Sequence, residues 1–146
     1  MTVVEMTIGA LVAIALLAVS LAHFMWALGR NWPVRNEKLL AQTVVGFAGV
    51  EHMPPKLLSL GVALATLGAC VLALSVADHD SGGLWLNLLG IGLAAIFLAR
   101  GAIGYTAWWA AKTPEQPFRT LDRKNYSPLC LGIGAGFFLL VIMRLL

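Results

Sequence analysis

Charge is scarce in this sequence. Only 12% of its 146 residues are charged, whereas 60% are hydrophobic and the mean hydropathy is +0.85. Soluble domains carry about 25% charged residues, because they need a polar surface to face water. A bilayer, in contrast, accepts apolar side chains on the outer face of every helix. The composition therefore excludes an ordinary soluble domain and indicates an integral membrane protein.

Cysteines and catalytic motifs are scarce as well. The only two cysteines, Cys70 and Cys130, lie inside apolar segments without a C-x-x-C spacing, so we interpret them as small, unpaired hydrophobes. The sequence contains no phosphate-binding loop, metal-ligand cluster, nucleophile elbow or dinucleotide fingerprint. It therefore predicts no metal and no cofactor, and it leaves open whether the protein is an enzyme.

Four long apolar runs dominate the rest of the chain. A helix crosses the hydrocarbon core with about 20 residues at a rise of about 1.5 Å per residue. The runs predict an all-α fold, an integral membrane four-helix bundle forming one transmembrane domain over residues 1–146. We expect helices over about residues 4–28, 55–77, 84–111 and 127–146, with loops at 29–54 and 112–126. Ser127 is suited to cap the fourth helix, and Pro128 to occupy its first turn.

The positions of lysine and arginine predict how the bundle is oriented. Most basic residues lie in or beside the two long loops, and they are Arg30, Arg35, Lys38, Lys56, Lys112, Arg119, Arg123 and Lys124. The positive-inside rule places these loops in the cytoplasm and both termini in the periplasm, for a multi-pass protein of a bacterial inner membrane. Basic residues confined to such clusters orient a chain in its lipid bilayer, so no nucleic acid is expected as a partner.

Part of the first long loop is itself apolar. The stretch from Leu39 to Val50 is too short to cross the bilayer as a helix. We favour an interfacial segment packed beneath the bundle, because the alternative, a re-entrant loop, must be shielded from lipid.

Small residues recur four positions apart on each predicted helix, which lets helix backbones approach closely in lipid. They are Ala18 and Ala22, Gly61, Ala65 and Ala69, Gly90 and Ala94, and Gly132 and Gly136. Their recurrence predicts packing faces within the bundle, and one face would also suit a homo-oligomer or a larger membrane complex.

Arg100 is the strongest candidate for a functional residue. It is predicted near mid-bilayer, where insertion of an arginine costs about 2.5–3.5 kcal/mol. Either it contacts a ligand inside the bundle, or it is a structural arginine that bonds helix carbonyls or extends to the interface. His23 and Tyr105 are predicted at comparable heights, so the three side chains would face one polar pocket. For His23, a purely structural hydrogen bond is the alternative.

The other ionisable residues are weaker candidates for a functional site. His52 lies in the long loop and His79 on the opposite side, so a bis-histidine haem has poor support. Glu51 and His52 would form an acid–base pair at the mouth of the bundle, although an acidic residue there also suits a helix start. Glu5 lies in the first turn of helix one, too near the edge to act as the mid-membrane carboxylate of a proton-coupled exporter.

Three stretches of the sequence carry a family resemblance. They are His23 to Gly29 (HFMWALG), Leu98 to Tyr105 (LARGAIGY) and Phe118 to Leu131 (FRTLDRKNYSPLCL), of which the last is the most specific. Through these stretches the chain resembles an uncharacterised bacterial four-helix membrane family, a domain of unknown function. The resemblance implies the fold and no activity.

The resemblance also singles out positions, most of them on the inner half of the bundle: His23, Trp26, Arg100, Gly104, Asp122, Tyr126, Ser127 and Pro128. Where the family commonly has an acidic residue after the glycine of the second stretch, this chain has Tyr105. An Arg–acid pair is therefore not expected at that point, and Asp122 becomes the candidate partner of Arg100.

Three functions remain open from the sequence. The first is a binding or accessory bundle that holds a lipid-like or small polar ligand near Arg100, His23, Tyr105 and Asp122. The second is a small-molecule or ion transporter, which the lack of a mid-membrane carboxylate makes weaker. The third is a membrane enzyme that acts on a lipid-soluble substrate through His23 or the Glu51–His52 pair. We favour the first.

Overall fold

The computed structural model of the chain describes residues 2–78 and 82–146. Its helices are α1 (Val3–Ala27), α2 (Glu37–Val44), α3 (Lys56–Ala77), α4 (Gly83–Ile103), α5 (Ala107–Lys112), α6 (Phe118–Leu121) and α7 (Ser127–Leu145), with a π-helical turn at Asp122–Tyr126 between the last two. Within the described residues there are no strands, so the predicted all-α class is confirmed.

Four helical segments are long and apolar enough to cross a membrane, namely Val3–Ala27, Lys56–Ala77, Gly83–Ile103 and Phe118–Leu145. Large apolar side chains such as Leu11, Val71 and Ile96 point away from the protein and are more than half exposed. Such a surface is stable only in an apolar solvent. The chain is therefore a multi-pass membrane protein, and the predicted four-helix bundle is confirmed.

The bundle consists of two antiparallel helix pairs. In the first pair, α1 and α3, the Ser20 hydroxyl donates to the Ala63 carbonyl at 2.7 Å, and the Cys70 thiol donates to the Ala13 carbonyl at 3.2 Å. Polar side chains thus tie helices together where lipid supplies no hydrophobic drive. Both cysteines are free thiols, as the sequence predicted.

The second pair, α4 and α7, packs through small residues. A Cβ on Gly134 would lie 2.8 Å from the backbone nitrogen of Leu98, so only glycine permits this approach. The pair joins the first through α1 and α7, where Gly136 lies against Val12. Around this junction Leu16 and Phe137 are fully buried and form the centre of the core.

The predicted packing faces are correct in part. Gly90, Ala94, Ala69 and Gly136 are buried at helix contacts, but other predicted members are exposed, namely Ala18, Gly61, Ala65 and Gly132. Spacing alone does not identify the buried face of a helix that is apolar all round, because lipid and protein accept the same side chains.

Two predicted helix bounds are wrong. The third helix was expected to continue to residue 111, but it ends at Ile103 and resumes as α5 at Ala107. Thr106 causes this break locally, because its hydroxyl donates to the Ile103 carbonyl at 2.7 Å and accepts from the Trp109 backbone nitrogen at 3.2 Å. A side chain that bonds nearby backbone groups competes with the helix in this way.

The fourth helix begins earlier than expected. Its helical conformation starts at Phe118, so Ser127 lies inside the segment and is not an N-cap. The Ser127 hydroxyl instead donates to Oδ1 of Asp122 at 3.3 Å. The hydroxyl that was expected to cap a helix end therefore bonds another side chain within the bundle.

The first long loop contains α2, whose N-cap Asn36 accepts from the Leu39 backbone nitrogen at 2.8 Å. The helix ends at a turn in which Gly46 and Gly49 have φ of 74° and 70°, a conformation that favours glycine. Residues 37–54 are called the cap segment below. The segment packs on the bundle through the fully buried Leu40 and a hydrogen bond from the Tyr126 hydroxyl to the Thr43 carbonyl at 3.0 Å.

The close approach of α4 and α7 predicts different outcomes for two glycines in one helix. Gly134→Ala should destabilise the protein by about 1–3 kcal/mol, because the new methyl group meets the backbone of α4. Gly132→Ala is the matched control, since nothing lies within 4 Å of its Cβ position. Thermal unfolding in detergent micelles measures both. Equal melting temperatures for the two variants would contradict this packing.

Candidate functional site

A cavity of about 270 Å³ lies inside the end of the bundle that carries the two long loops. Residues of α1, α3, α4, α5, α6 and the cap segment line it. The lining residues are His23, Trp26, Val44, Val45, Phe47, Met53, Pro54, Leu58, Ser59, Val62, Arg100, Trp109 and Phe118. Most of the wall is thus aliphatic or aromatic, and Arg100 is its one formally charged member.

Arg100 lies in the last turn of α4, at the end of this membrane span and not near its middle as predicted, and it forms an ion pair with Asp122. Its Nη2 donates to Oδ1 of Asp122 at 2.7 Å, and the Asp122 side chain is fully buried. The same carboxylate accepts from Nε1 of Trp109 at 2.9 Å and from the Ser127 hydroxyl. A buried charge is tolerated only when it is paired and hydrogen-bonded, and both conditions are met here. The partner that the sequence proposed for Arg100 is therefore confirmed.

Trp109 contributes to the pair in a second way. The Arg100 guanidinium lies 5.1 Å from the centroid of the Trp109 ring, within the range of a cation–π interaction. Sequence reasoning did not identify this contact. Trp109 lies beyond the helix break that follows Ile103, and its indole nitrogen reaches Asp122 from there.

The backbone around Asp122 is unusual. Asp122 opens the π-helical turn Asp122–Tyr126, and π-helical turns inside longer helices occur frequently at functional sites. Gly104, at the end of α4, lies against this turn. A Cβ there would clash with the Ser127 side chain and lie 3.1 Å from Oδ2 of Asp122. The glycine therefore permits the close approach on which the Arg100–Asp122 pair depends.

His23, on α1, lines the same cavity as Arg100. Its Nδ1 is 2.8 Å from the Val19 carbonyl, and its ring is 4.6 Å from that of Trp26. Because a carbonyl oxygen only accepts, Nδ1 carries the proton. The neutral ring then has Nε2 as a hydrogen-bond acceptor.

Tyr105 is not part of this arrangement, which corrects the predicted three-residue pocket. Its side chain is 43% exposed, and its hydroxyl donates to the Arg123 carbonyl at 3.2 Å. The Arg123 guanidinium lies 5.9 Å from the Tyr105 ring. Tyr105 follows Arg100 by five positions, which is about 140° around a helix of 3.6 residues per turn, so the two side chains do not share a face. His23 and Arg100 line the same cavity without Tyr105, and Asp122 is bonded to Arg100.

The Glu51–His52 pair is not at the cavity either. Glu51 accepts from Nζ of Lys38 at 2.9 Å, and Nδ1 of His52 lies 3.6 Å from Oε2 of Glu37. Both contacts join the two ends of the cap segment and are exposed to solvent. His79, the other histidine considered, lies outside the described residues. Among the described residues no group of three metal-ligating side chains occurs.

The Lys38–Glu51 contact affects the titration of both groups. A hydrogen bond and the opposite charge lower the pKa of Glu51 and raise the pKa of Lys38. The contribution of Glu51 is present above its unfolded-state pKa and is lost as the pH falls through the lower folded value. That of Lys38 is lost as the pH rises through its raised value. The contact therefore persists across neutral pH.

Backbone hydrogen bonds hold the cap segment over the cavity. Oε1 of Glu115 accepts from the Gly49 backbone nitrogen at 2.9 Å, and the Glu115 backbone nitrogen donates to the Gly46 carbonyl at 3.2 Å. Between these two points Phe47 reaches the cavity and makes an edge contact with Trp109 at 6.3 Å. The cap segment therefore forms a wall of the cavity and shields the ion pair.

Comparison with known families identifies the chain. The family described as "Protein of unknown function (DUF3995)" matches residues 16–137, a range that contains His23, Arg100, Gly104 and Asp122. The chain belongs to this family. The resemblance seen in the sequence is thereby confirmed. No curated protein and no solved structure matches this DUF3995 member.

The ion pair predicts strong coupling between its two members. Arg100→Gln or Asp122→Asn alone should cost about 3 kcal/mol, because each leaves a charge in an apolar site without its partner. The double variant should cost clearly less than the sum of the two. Thermal unfolding in micelles completes this double-mutant cycle, with Glu51→Gln as the exposed control that changes stability little. Additive losses would mean that the pair is not energetically coupled.

Proposed function

We propose that this DUF3995 member is a membrane binding protein that holds one small amphipathic ligand in the cavity beside Arg100. The cavity combines an apolar, aromatic wall with a few polar groups at set positions, which is the usual composition of a small-molecule site. Its volume of about 270 Å³ is just below the usual range for such sites, so the ligand places a head group and part of a chain inside.

One observation carries this proposal. Nη2 of Arg100 is bonded to Asp122, whereas the buried Nη1 has no hydrogen-bond partner among the described residues. A buried donor without an acceptor costs about 1–3 kcal/mol, more when it is charged. Arg100 lines the cavity, so a ligand that shifts the neighbouring side chains and brings an acceptor atom to Nη1 would remove that cost. A purely structural arginine would be expected to satisfy its donors within the protein.

The remainder of the bundle favours binding over transport. Beyond the cavity the core is closed by Val12, Leu16 and Phe137, none of which is more than 5% exposed. A transport pathway needs a continuous series of polar groups or a water-filled channel. An enzymatic role for His23 has only its neutral Nε2 in support.

The proposal includes an orientation. The cavity lies at the end of the bundle that carries both basic loops, and such loops are retained in the cytoplasm. We place the site in the cytoplasmic half of a bacterial inner membrane, with both termini in the periplasm. A ligand would then enter from the inner leaflet or from the cytoplasm beside the cap segment.

Ligand binding predicts that narrowing the cavity displaces the bound molecule. Val62 lines the cavity on α3, so Val62→Phe should fill part of it and weaken binding at least about tenfold, which corresponds to about 1.4 kcal/mol. Val71→Phe is the matched control, the same change on the lipid-facing side of the same helix. Native mass spectrometry from mild detergent measures the retained small molecule. Equal retention by both variants, or none by the unmodified protein, would refute the proposed function.

The orientation predicts opposite labelling of two single cysteines in intact cells, with Cys70→Ala and Cys130→Ala as background. Arg35→Cys, in the first long loop, should be protected from a membrane-impermeant maleimide until the cells are lysed. Thr2→Cys, at the start of α1, should react with it in intact cells. The reverse pattern would overturn the orientation and leave the cavity itself unaffected.

A further inference from the structure

We propose that the head group bound beside Arg100 is electrically neutral and carries both a hydrogen-bond acceptor and a hydroxyl donor. The ligand class is that of acylglycerols with free hydroxyl groups, as opposed to fatty acids and anionic phospholipids. This inference rests on the proposed function and specifies its ligand. It follows from the charge balance of the site and from the donors and acceptors that the site leaves available.

The charges of Arg100 and Asp122 cancel at the site. Arg100 alone would favour an anion, but Asp122 lies 2.7 Å from it, is fully buried and accepts two further hydrogen bonds. Arginine and aspartate together carry no net charge. No other lysine, arginine, aspartate or glutamate lines the cavity. An anionic head group would therefore add an unmatched charge to an apolar site, which costs several kcal/mol.

The hydrogen-bonding groups of Arg100 and His23 also favour a neutral ligand with a hydroxyl group. Arg100 has a donor without a partner, Nη1, and the neutral ring of His23 has Nε2 as an acceptor, because its Nδ1 donates to the Val19 carbonyl. A ligand that serves both needs an acceptor for Arg100 and a donor for His23. An ester carbonyl and a hydroxyl group provide this combination. A sulfate, an ionised carboxylate or a fully ionised phosphate offers acceptors alone and would face the His23 lone pair unfavourably.

The apolar walls of the cavity suit the acyl chain of the ligand. Phe47, Phe118 and Leu58 line the cavity together with Trp26 and Trp109, so an acyl chain finds apolar and aromatic contacts next to the polar head. Leu58 is itself 58% exposed on the outside of α3. A chain that leaves the cavity past this residue reaches the lipid phase without crossing a polar barrier.

Two probes with the same brominated chain separate the head groups. One is a monoacylglycerol, neutral with an ester carbonyl and two hydroxyl groups, and the other is an alkyl sulfate, anionic at all relevant pH values. Bromine quenches tryptophan fluorescence on contact, so the protein carries Trp32→Phe, Trp85→Phe and Trp108→Phe. The two remaining tryptophans, Trp26 and Trp109, line the cavity. Titration is done in phosphatidylcholine nanodiscs, with Val62→Phe as the background for contact from bulk lipid.

The expected result is that the monoacylglycerol saturates quenching at a concentration at least about tenfold lower than the alkyl sulfate. Equal or tighter binding of the sulfate would overturn the neutral head group while leaving the proposed function intact. If neither probe quenches beyond the Val62→Phe background, the cavity binds no amphiphile, and both the proposed function and this inference are wrong.

A charge-removing variant tests the cause of the preference. Asp122→Asn leaves Arg100 unmatched, so the preference should shift toward the sulfate by at least about tenfold. Glu51→Gln removes one negative charge from the cap segment outside the cavity and should leave the preference unchanged. A preference unaltered by Asp122→Asn would show that charge balance does not select the ligand. The comparison of the two probes in the protein that retains Asp122 decides the inference even where Asp122→Asn does not fold.

Discussion

The constraint on which the rest of the structure depends is the burial of one charge. The side chain of Asp122 is fully buried, and a buried carboxylate needs a partner at hydrogen-bonding distance, which here is Arg100 in the last turn of α4. To reach Arg100, the carboxylate needs a helical turn that re-aims it and a glycine that lets the turn come close. The π-helical turn and Gly104 provide these two conditions. The ion pair is therefore the reason for both irregularities.

The same pair organises the cavity around it. Trp109 donates to the carboxylate and lies beneath the guanidinium, so α5 is held against the bundle although it is only six residues long. Phe47 of the cap segment contacts this tryptophan. The cap segment is in turn held by Glu115 and Tyr126, from the segment that carries Asp122. The same contacts therefore shield the ion pair and form a wall of the cavity.

Sequence reasoning succeeded where a single physical requirement decides the outcome. Hydropathy and length identified four spans, because a bilayer demands about 20 apolar residues for each helix. The cost of a charge in lipid singled out Arg100, although it lies in the last turn of α4 and not near mid-bilayer. The family resemblance, with no acid at Tyr105, led to Asp122. Sequence reasoning failed for Tyr105, which lies on another face than Arg100, and for Ser127, because the helical conformation already begins at Phe118.

The sequence by itself determined the solvent of this protein and its four crossings, because these follow from composition and hydropathy. Its motifs indicated the family, and the resemblance pointed to Asp122 as the partner of Arg100. Only the tertiary structure decided which glycines pack, which side chains line the cavity and which nitrogen of Arg100 remains without a partner. In a helix that is apolar all round, hydropathy does not distinguish the face that meets lipid from the face that meets protein. The face that meets the protein is selected by contacts between residues far apart in the chain.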